Sequence, residues 1–286
     1  MIELPFQQVD VFSSEAFKGN PVAVVFDADG LSDNQMADIA KWTNLSETTY
    51  VLKSNNPNAD YRLRIFTQFG ELPFAGHPTL GACHAWLQYG GRAKDEKIIQ
   101  ECGLGLVPIR HENERLAFAA PELLRSGPVD GAIVADIARG LRIDRDAILG
   151  IEWADNGPGW VALRLRSRAA VLALDPDFVA LGKYMVGVVG PWDLIADGDE
   201  AQFEVRAFAP GAGITEDPVT GSLNAALAQW LIRAGHAKPT YVASQGAALG
   251  RSGMIHVQKI DADIWIGGDT KTVIDGVISV ETNFSL

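Results

Sequence analysis

Two segments of the chain repeat one another, and each ends in a polar turn that opens an apolar helix. The first segment covers residues 64–82 and the second covers residues 206–222. Aligning His77-Pro78-x-x-Gly81 with Asp217-Pro218-x-x-Gly221 gives an offset of 140 residues. A chain built as two copies can bring two helix N-termini face to face, and a small anion can bind between them. The repeat therefore predicts two similar domains with an anion site.

The size and charge of the chain agree with this division. A length of 286 residues accommodates two domains of about 120 to 150 residues each. The apolar content of 47% and the charged content of 21% are typical of a globular protein in water. The net charge of −12 argues against nucleic acid or an anionic membrane as the general partner. An anionic small substrate stays open, because a local site can be positive within an acidic protein.

Cysteine and histidine usage predicts neither a disulfide framework nor a metal site. Cys83 and Cys102 are the only cysteines, which favours a reducing compartment. The sequence contains no Cys-x-x-Cys and no His-Glu-x-x-His, and its five histidines are scattered. It has no basic start with an apolar core typical of a secretory signal, and no apolar run approaches 18 residues. We therefore expect a cytoplasmic protein without a zinc site.

In each half the predicted strands precede one central apolar helix, and further strands follow it. The two predicted helices, 78–89 and 219–234, have almost no polar face, so they should be enclosed. Ser32 is expected to cap a more ordinary helix over 33–42, and 121–128 is expected to link the domains. This order is not the regular alternation of a doubly wound sheet. It predicts an α+β protein in which each half has a curved sheet rolled around its own helix.

Glu47 is the first candidate for chemistry. It lies between a helix and a strand and is flanked by the hydroxyl residues Ser46 and Thr48. A carboxylate at such a boundary can act as a general base, and enclosure in an apolar cleft would raise its pKa toward neutrality. The alternative is that Ser46 and Glu47 are ordinary turn residues.

The two polar turns supply the other candidates. His77 is expected just before its helix, either as a ligand-binding residue or as a cap or core histidine. Asp217 precedes Pro218 and could be only the N-cap of its helix. Ser222 adds a hydroxyl in the first helical turn. Three glycines remove Cβ atoms where backbone N–H groups could face a ligand: Gly76, Gly81 and Gly221.

Several common nucleotide and nucleophile motifs are absent. The chain has no Gly-x-Gly-x-x-Gly, no Walker-type phosphate loop and no Gly-x-Ser-x-Gly. This argues against nicotinamide cofactors, nucleoside triphosphates and hydrolases of the nucleophile-elbow type. A glycine-rich loop over 245–253 could line the cleft or be a surface turn.

Five sequence blocks, in order along nearly the whole chain, resemble the phenazine-biosynthesis isomerase-like (PhzF) family, which is related in fold to diaminopimelate epimerase. The blocks are residues 19–24 (GNPVAV), 44–47 (NLSE), 72–78 (LPFAGHP), 216–222 (EDPVTGS) and 245–246 (QG). The resemblance implies two similar domains, 1–122 and 123–274, with the active site in the cleft between them. It also implies that the last strand, about 275–286, returns to the first domain and that the protein is a homodimer.

The same resemblance implies a mechanism. The characterised member isomerises a dihydro-hydroxyanthranilate without metal or cofactor. Its proton-shuttling glutamate matches Glu47, and its substrate-contacting residues match His77, Asp217 and Ser222. The related epimerases use two thiols, but Ala75 stands near the position of the first and Asp217 near that of the second. A two-thiol racemase is therefore not expected.

Three hypotheses follow for the function. In the first, Glu47 moves a proton and a double bond in a small amino- or hydroxy-substituted carboxylic acid. The carboxylate of the substrate would bind at the helix N-termini, at Gly76 and at residues 221–222. In the second, the chain binds a metabolite without converting it. In the third, the site is a relic and the protein has a damage-control or dimer-scaffold role. The segment 189–195, expected to cover the cleft, does not identify a substrate.

Overall fold

The computed structural model describes residues 1–112 and 115–281, which form two compact units. Unit 1 comprises residues 1–119 and 267–286, and unit 2 comprises residues 120–266. The sequence placed the boundaries at 122/123 and 274/275. The strand expected over 275–286 overlaps the observed final strand as far as Val280, and residues 282–286 lie outside the described part of the chain.

The secondary structure consists mainly of strands, with one long buried helix in each unit. The elements in chain order are β1 (Ile2–Val11), β2 (Asn20–Val25), α1 (Asp33–Thr43), β3 (Thr48–Leu52), β4 (Tyr61–Phe66), β5 (Glu71–Leu72), α2 (Gly76–Gln88), β6 (Ile98–Cys102), β7 (Gly105–Glu112), β8 (Arg115–Ala119), β9 (Arg125–Gly127), α3 (Gly131–Leu141), β10 (Gly150–Asp155), β11 (Trp160–Arg164), α4 (Arg168–Leu172), α5 (Phe178–Leu181), β12 (Met185–Pro191), β13 (Phe203–Ala209), β14 (Ile214–Asp217), α6 (Gly221–Arg233), β15 (Thr240–Gln245), β16 (Gly253–Ile260), β17 (Asp263–Gly268) and β18 (Thr270–Val280). The predicted α+β class is confirmed.

The sheet of unit 1 is mixed. Its strands pair in the order β18, β1, β2, β3, β4, β6, β7, β8. The β2–β3 and β4–β6 pairs are parallel and the other pairs are antiparallel, while the short β5 also pairs with β4.

Helix α1 was predicted over 33–42 and covers Asp33–Thr43, with Ser32 as the expected N-cap. The Ser32 hydroxyl accepts the backbone N–H of Gln35, and the side-chain oxygen of Gln35 accepts the backbone N–H of Ser32.

Unit 2 repeats this pairing pattern. Its strands pair in the order β9, β10, β11, β12, β13, β15, β16, with β14 also on β13. In both units the third and the fifth pairs of this order are parallel, and in unit 2 these are β11–β12 and β13–β15. In both units the buried helix connects the two strands of the later parallel pair. The duplication read from the sequence is therefore a duplication of topology.

The buried helices are enclosed as their composition predicts. Nine of the 13 residues of α2 and nine of the 13 residues of α6 are buried. Helix α2 packs against β1, β2, β3, β4, β8 and β18, so the sheet of unit 1 wraps around it. A helix with apolar side chains on every face cannot lie on a surface, and a rolled sheet removes all of its faces from water. None of the described helices is long and apolar enough to cross a bilayer.

The alignment of the two copies differs from the one read off the sequence. Helices α2 and α6 begin at Gly76 and Gly221, so the structural offset is 145 residues and not 140. This register matches the pattern Glu-x-Pro-x-x-Gly over 71–76 with the same pattern over 216–221. The His77 position therefore corresponds to Ser222, and the Asp217 position corresponds to Leu72. Aligning His77-Pro78 with Asp217-Pro218 was misleading, because Pro78 lies inside its helix whereas Pro218 lies three residues before its helix begins.

An arginine–glutamate pair supports the corrected register. The guanidinium of Arg64 donates to both carboxylate oxygens of Glu71, at 2.8 and 2.6 Å. Arg206 makes the same two-pronged contact with Glu216, at 2.8 Å for both bonds. The first pair joins β4 to the short strand β5, and the second joins β13 to the short strand β14. Each pair therefore holds the turn that leads into the buried helix.

Gly81 provides a test of how tightly the sheet encloses α2. A Cβ at Gly81 would lie 2.3 Å from Cγ1 of Val22 and 3.1 Å from Cγ2 of Val11. We expect Gly81→Ala to lower the free energy of unfolding by about 1–3 kcal/mol, because β2 must move to admit the methyl group. Urea denaturation followed by circular dichroism measures the change.

Gly131→Ala is the matched control. Gly131 opens α3, and the nearest atom to its added Cβ would be Nη2 of Arg145 at 4.0 Å. This variant should be neutral or slightly stabilised, since alanine favours a helix over glycine. Equal effects of the two substitutions would contradict the close approach of α2 and β2.

Candidate functional site

Glu47 lies where unit 1 changes from helix to strand. Helix α1 ends at Thr43, and Asn44 adopts a left-handed conformation, φ 56°, that turns the chain toward β3. The carbonyl of Glu47 lies 3.5 Å from the backbone N–H of Ala23, in line with the parallel pairing of β2 and β3. Glu47 is thus held at the beginning of a strand by the sheet itself, and its side chain is only 13% exposed.

Glu47 and His77 meet within unit 1. Oε2 of Glu47 lies 3.2 Å from Nε2 of His77, and the imidazole side chain is 5% exposed. His77 lies inside the first turn of α2, which begins at Gly76, and not before the helix as the sequence suggested. Two of the residues selected from the sequence are therefore in contact, although 30 residues separate them along the chain.

His77 is neutral at physiological pH. Burial of its ring lowers the pKa of His77 from 6.5 to about 3, against the opposing effect of a hydrogen bond to the backbone of Pro21. Nε2 of His77 and Oε2 of Glu47 approach to 3.2 Å without the geometry of a hydrogen bond to each other. A neutral imidazole at this distance brings no positive charge to the carboxylate.

Two residues that the sequence did not single out support His77. Nδ2 of Asn20 lies 3.4 Å from Nδ1 of the imidazole, and Asn20 is itself buried. The turn before Asn20 is held by Asp10, whose Oδ2 accepts the backbone N–H groups of Lys18 and Gly19 at 2.8 and 3.1 Å. A Cβ at Gly19 would lie 2.1 Å from the carbonyl oxygen of Val11. The sequence signal was the Gly-Asn-Pro block, read only as part of a family resemblance.

In unit 2, Asp217 ends β14 and does not cap the helix. The N-cap of α6 is Thr220, three residues later. The hydroxyl of Thr220 donates to Oδ2 of Asp217 at 2.5 Å. The prediction that Asp217 could be the N-cap was wrong, because α6 begins at Gly221 and not at Pro218. A partly buried carboxylate that is not used as a cap is a candidate for contacting a ligand.

Gln245, at the end of β15, holds this turn. Its Oε1 accepts the backbone N–H of Thr220 at 3.0 Å and Nδ2 of Asn224 at 2.8 Å. Its Nε2 donates to the carbonyl oxygen of Asp217 at 3.0 Å and to the Thr220 hydroxyl at 2.9 Å. The sequence indicated Gln245 as the start of a glycine-rich loop and as part of a family block, without a role for its side chain. The structure places its side chain in the interior with four hydrogen bonds.

Ser222 lies in the first turn of α6 with its hydroxyl oriented by an aromatic donor. Nε1 of Trp160 donates to Oγ of Ser222 at 3.1 Å, and Asn156 donates to the Ser222 carbonyl oxygen at 2.9 Å. Since indole can only donate, the serine oxygen accepts there and its own proton is directed elsewhere. Ser222 can therefore act as a hydrogen-bond donor to an anion.

Gly81 serves packing, because its missing Cβ admits Val22. Gly76 and Gly221 occupy the same position in the two units, as the first residues of α2 and α6. The first N–H groups of a helix have no partner within the helix and attract anions.

Within the described residues, no group of three or more His, Cys, Asp or Glu side chains converges as metal ligands.

The burial of His77 gives a testable pH dependence of stability. Between pH 6.5 and about 3 the unfolded chain binds a proton at this ring and the folded chain does not. The free energy of unfolding should therefore fall as pH is lowered through this range. In His77→Gln, the loss between pH 6.5 and 4.5 should be smaller by up to about 1.4 kcal/mol per pH unit. Urea denaturation at several pH values measures both slopes.

His236→Gln is the control for this measurement, since His236 is exposed. That variant should keep the wild-type slope. An unchanged slope in His77→Gln would show that the imidazole is not held neutral in the folded protein.

Comparison with known proteins identifies the family. The sequence model of the phenazine biosynthesis-like protein family, PhzC-PhzF, matches residues 9–276. Antisense-enhancing sequence 1 of Schizosaccharomyces pombe is 38% identical, and the match covers 96% of this chain and 99% of that protein. Trans-2,3-dihydro-3-hydroxyanthranilate isomerase of Pseudomonas chlororaphis is also 38% identical, over 79% of each chain.

A solved structure gives the same result for the fold. The crystal structure of a PhzF-family phenazine biosynthesis protein from Enterococcus faecalis superposes with a TM-score of 0.80 at 27% identity. The superposition covers 98% of this chain and all of the other. With the family model spanning most of its length and curated isomerases among its relatives, the chain belongs to the phenazine biosynthesis-like (PhzF) family.

Proposed function

We propose that this protein is a cofactor-independent isomerase in which Glu47 moves a proton between two carbons of a small amino- or hydroxy-substituted carboxylic acid. The double bond shifts as the proton moves. Such a reaction conserves all atoms and electrons, because the proton removed at one carbon is returned at another. It requires no oxidant or reductant, only a group that can accept and release a proton.

The observation that carries the proposal is the contact between Glu47 and His77. A neutral partner does not stabilise the ionised form of a carboxylate as a cation would, so it leaves the carboxylate available as a base. His77 is such a partner, since its burial keeps the ring neutral around pH 7. The Glu47 side chain is mostly withdrawn from water, with 13% of its surface exposed.

The remaining candidates suit a substrate that carries a carboxylate. Gly76 and Gly221 open the buried helices, where N–H groups attract anions. Ser222 adds a hydroxyl whose oxygen is already engaged by Trp160. Asp217 suits the amine or hydroxyl of the same substrate, as a hydrogen-bond acceptor held in place by Thr220. We assign His77, Asp217, Ser222, Gly76 and Gly221 to substrate binding on this basis.

Glu47→Gln tests the base. The probe is trans-2,3-dihydro-3-hydroxyanthranilate, the compound in the name of the Pseudomonas relatives. In deuterated water the wild type should isomerise it and incorporate solvent deuterium at carbon. Glu47→Gln should lose activity by about 10²–10⁴-fold, because an amide cannot accept the proton. Proton NMR of the reaction mixture measures both conversion and exchange.

Glu96→Gln is the matched control, an exposed glutamate of unit 1 that should retain full activity. Wild-type exchange rates in a folded Glu47→Gln would remove Glu47 from the mechanism. A compound that binds the wild-type protein tightly but is never converted or exchanged would favour the alternative, a metabolite-binding protein that keeps the family site.

Ser222→Ala tests the anion contact. Losing one hydrogen bond to a carboxylate should raise KM by about 10-fold and change kcat less, since the bond exists in both the ground state and the transition state. Steady-state kinetics with the same probe separate the two constants. Ser126→Ala, at an exposed serine of unit 2, should behave as wild type. A Ser222→Ala enzyme with unchanged KM would exclude the hydroxyl from substrate binding.

A further inference from the structure

We propose that Thr220 and Gln245 are positioning residues that orient the carboxylate of Asp217 through a directed chain of hydrogen bonds. The proposal rests on the proposed function for its consequence in catalysis, but the chain itself can be tested without substrate. Neither residue needs to touch the substrate. Their effect passes through Asp217.

The orientation of the Gln245 amide is determined by two backbone groups. The backbone N–H of Thr220, 3.0 Å from Oε1, can only donate. The carbonyl oxygen of Asp217, 3.0 Å from Nε2, can only accept. A flipped amide would place two donors together at one end and two acceptors together at the other. The amide nitrogen must therefore face Asp217 and the Thr220 hydroxyl.

This orientation decides the direction of the next bond. Nε2 of Gln245 donates to Oγ1 of Thr220 at 2.9 Å, so the hydroxyl accepts on that side. Its single proton then goes to Oδ2 of Asp217, at 2.5 Å. A short bond to a carboxylate is charge-assisted and favours the ionised form. The chain from Gln245 to Asp217 thus aims one carboxylate oxygen and stabilises its negative charge.

Unit 1 carries the corresponding glutamine but not the rest of the chain. Gln100 stands 145 residues before Gln245, the structural offset of the repeat. It donates to the Thr79 hydroxyl at 3.0 Å and accepts the hydroxyl of Tyr61 at 3.0 Å. At this offset Thr79 corresponds to Asn224, whereas Thr220 and Asp217 correspond to Ala75 and Leu72. The equivalent positions of unit 1 therefore lack both the hydroxyl and the carboxylate of the chain.

Three charged residues of unit 2 lie near the turn that carries Asp217. Glu216 and Arg206 form their two-pronged pair next to it on β14 and β13. Arg251 lies beside the turn, since an added Cβ at Gly246 would be 2.8 Å from Cβ of Arg251 and 2.7 Å from the carbonyl oxygen of Pro218. Substituting Thr220 leaves all three charges in place, so a change in the titration of Asp217 would report the lost hydroxyl.

Thr220→Val tests the chain directly. The carboxyl resonances of protein labelled with ¹³C-aspartate are followed against pH, and the Asp217 signal is assigned by its loss in Asp217→Asn. In Thr220→Val the titration midpoint of Asp217 should move about one pH unit upward. Thr220→Ser, which keeps the hydroxyl, should restore the wild-type midpoint. Thr220 makes no side-chain cap bond to α6, so these changes spare the helix start.

Gln245→Glu tests the direction of the chain. An ionised carboxylate cannot donate to the Thr220 hydroxyl, and the hydroxyl would turn its proton toward position 245. The Asp217 midpoint should therefore rise in this variant as well. Thr79→Val is the matched control in unit 1. It breaks the Gln100 contact and should leave Asp217 titrating as in wild type.

An Asp217 midpoint that is unchanged in folded Thr220→Val would overturn the proposal. If that variant does not fold, Thr220→Ala serves the same purpose with a smaller side chain. In the enzyme assay with trans-2,3-dihydro-3-hydroxyanthranilate, kcat/KM of Thr220→Val should fall about 10-fold near pH 6, with recovery in Thr220→Ser. A shifted midpoint without turnover by the wild type would uphold the chain of bonds and count against the proposed reaction.

Discussion

The structure depends on two helices that have no face suited to water. Helices α2 and α6 are apolar on all sides, so each must be enclosed, and each unit encloses its helix in a mixed sheet. Because α2 is enclosed, its backbone lies very close to the surrounding strands, as where Gly81 contacts Val22 of β2. It also restricts where polar chemistry can occur. The first turn of each helix is the place where an enclosed helix brings N–H groups and polar side chains together, and the candidate site residues lie there or in direct contact with it.

The polar groups near these helix starts are buried at a cost that their partners offset. His77 remains neutral, which avoids placing a charge in an apolar interior. Gln245 uses both its oxygen and its nitrogen twice, so no polar atom of its side chain is left without a partner. Fully satisfied networks of this kind are rigid, because rotating any one group would break several hydrogen bonds at once. The hydrogen bonds of Gln245 and Thr220 therefore hold Asp217 in one orientation, as the role proposed for this carboxylate requires.

The two units share their backbone scaffold and differ in the polar side chains at the helix starts. The strand pairing, the arginine–glutamate pair, the opening glycine and the bracing glutamine recur at equivalent places. The candidate site residues differ between the units: His77 corresponds to Ser222, and Leu72 corresponds to Asp217. A common backbone therefore supplies N–H groups in both units, while single substitutions give each unit a distinct polar function. The family relationship agrees with an isomerase built on this scaffold.

The sequence by itself determined the duplication, the enclosed helices and the α+β class, because composition and local patterns carry that information. It also singled out Glu47, His77, Asp217 and Ser222 as candidates, and their roles stay predictions. It failed where the answer depended on contacts between distant segments. The register of the repeat was off by five residues, since two prolines matched by chance while the helix starts did not. The roles of Asp10, Asn20, Thr220 and Gln245 were missed for the same reason. A hydrogen bond between β15 and the turn before α6 exists only after the strands have paired, so tertiary structure alone decided which polar residues hold the site.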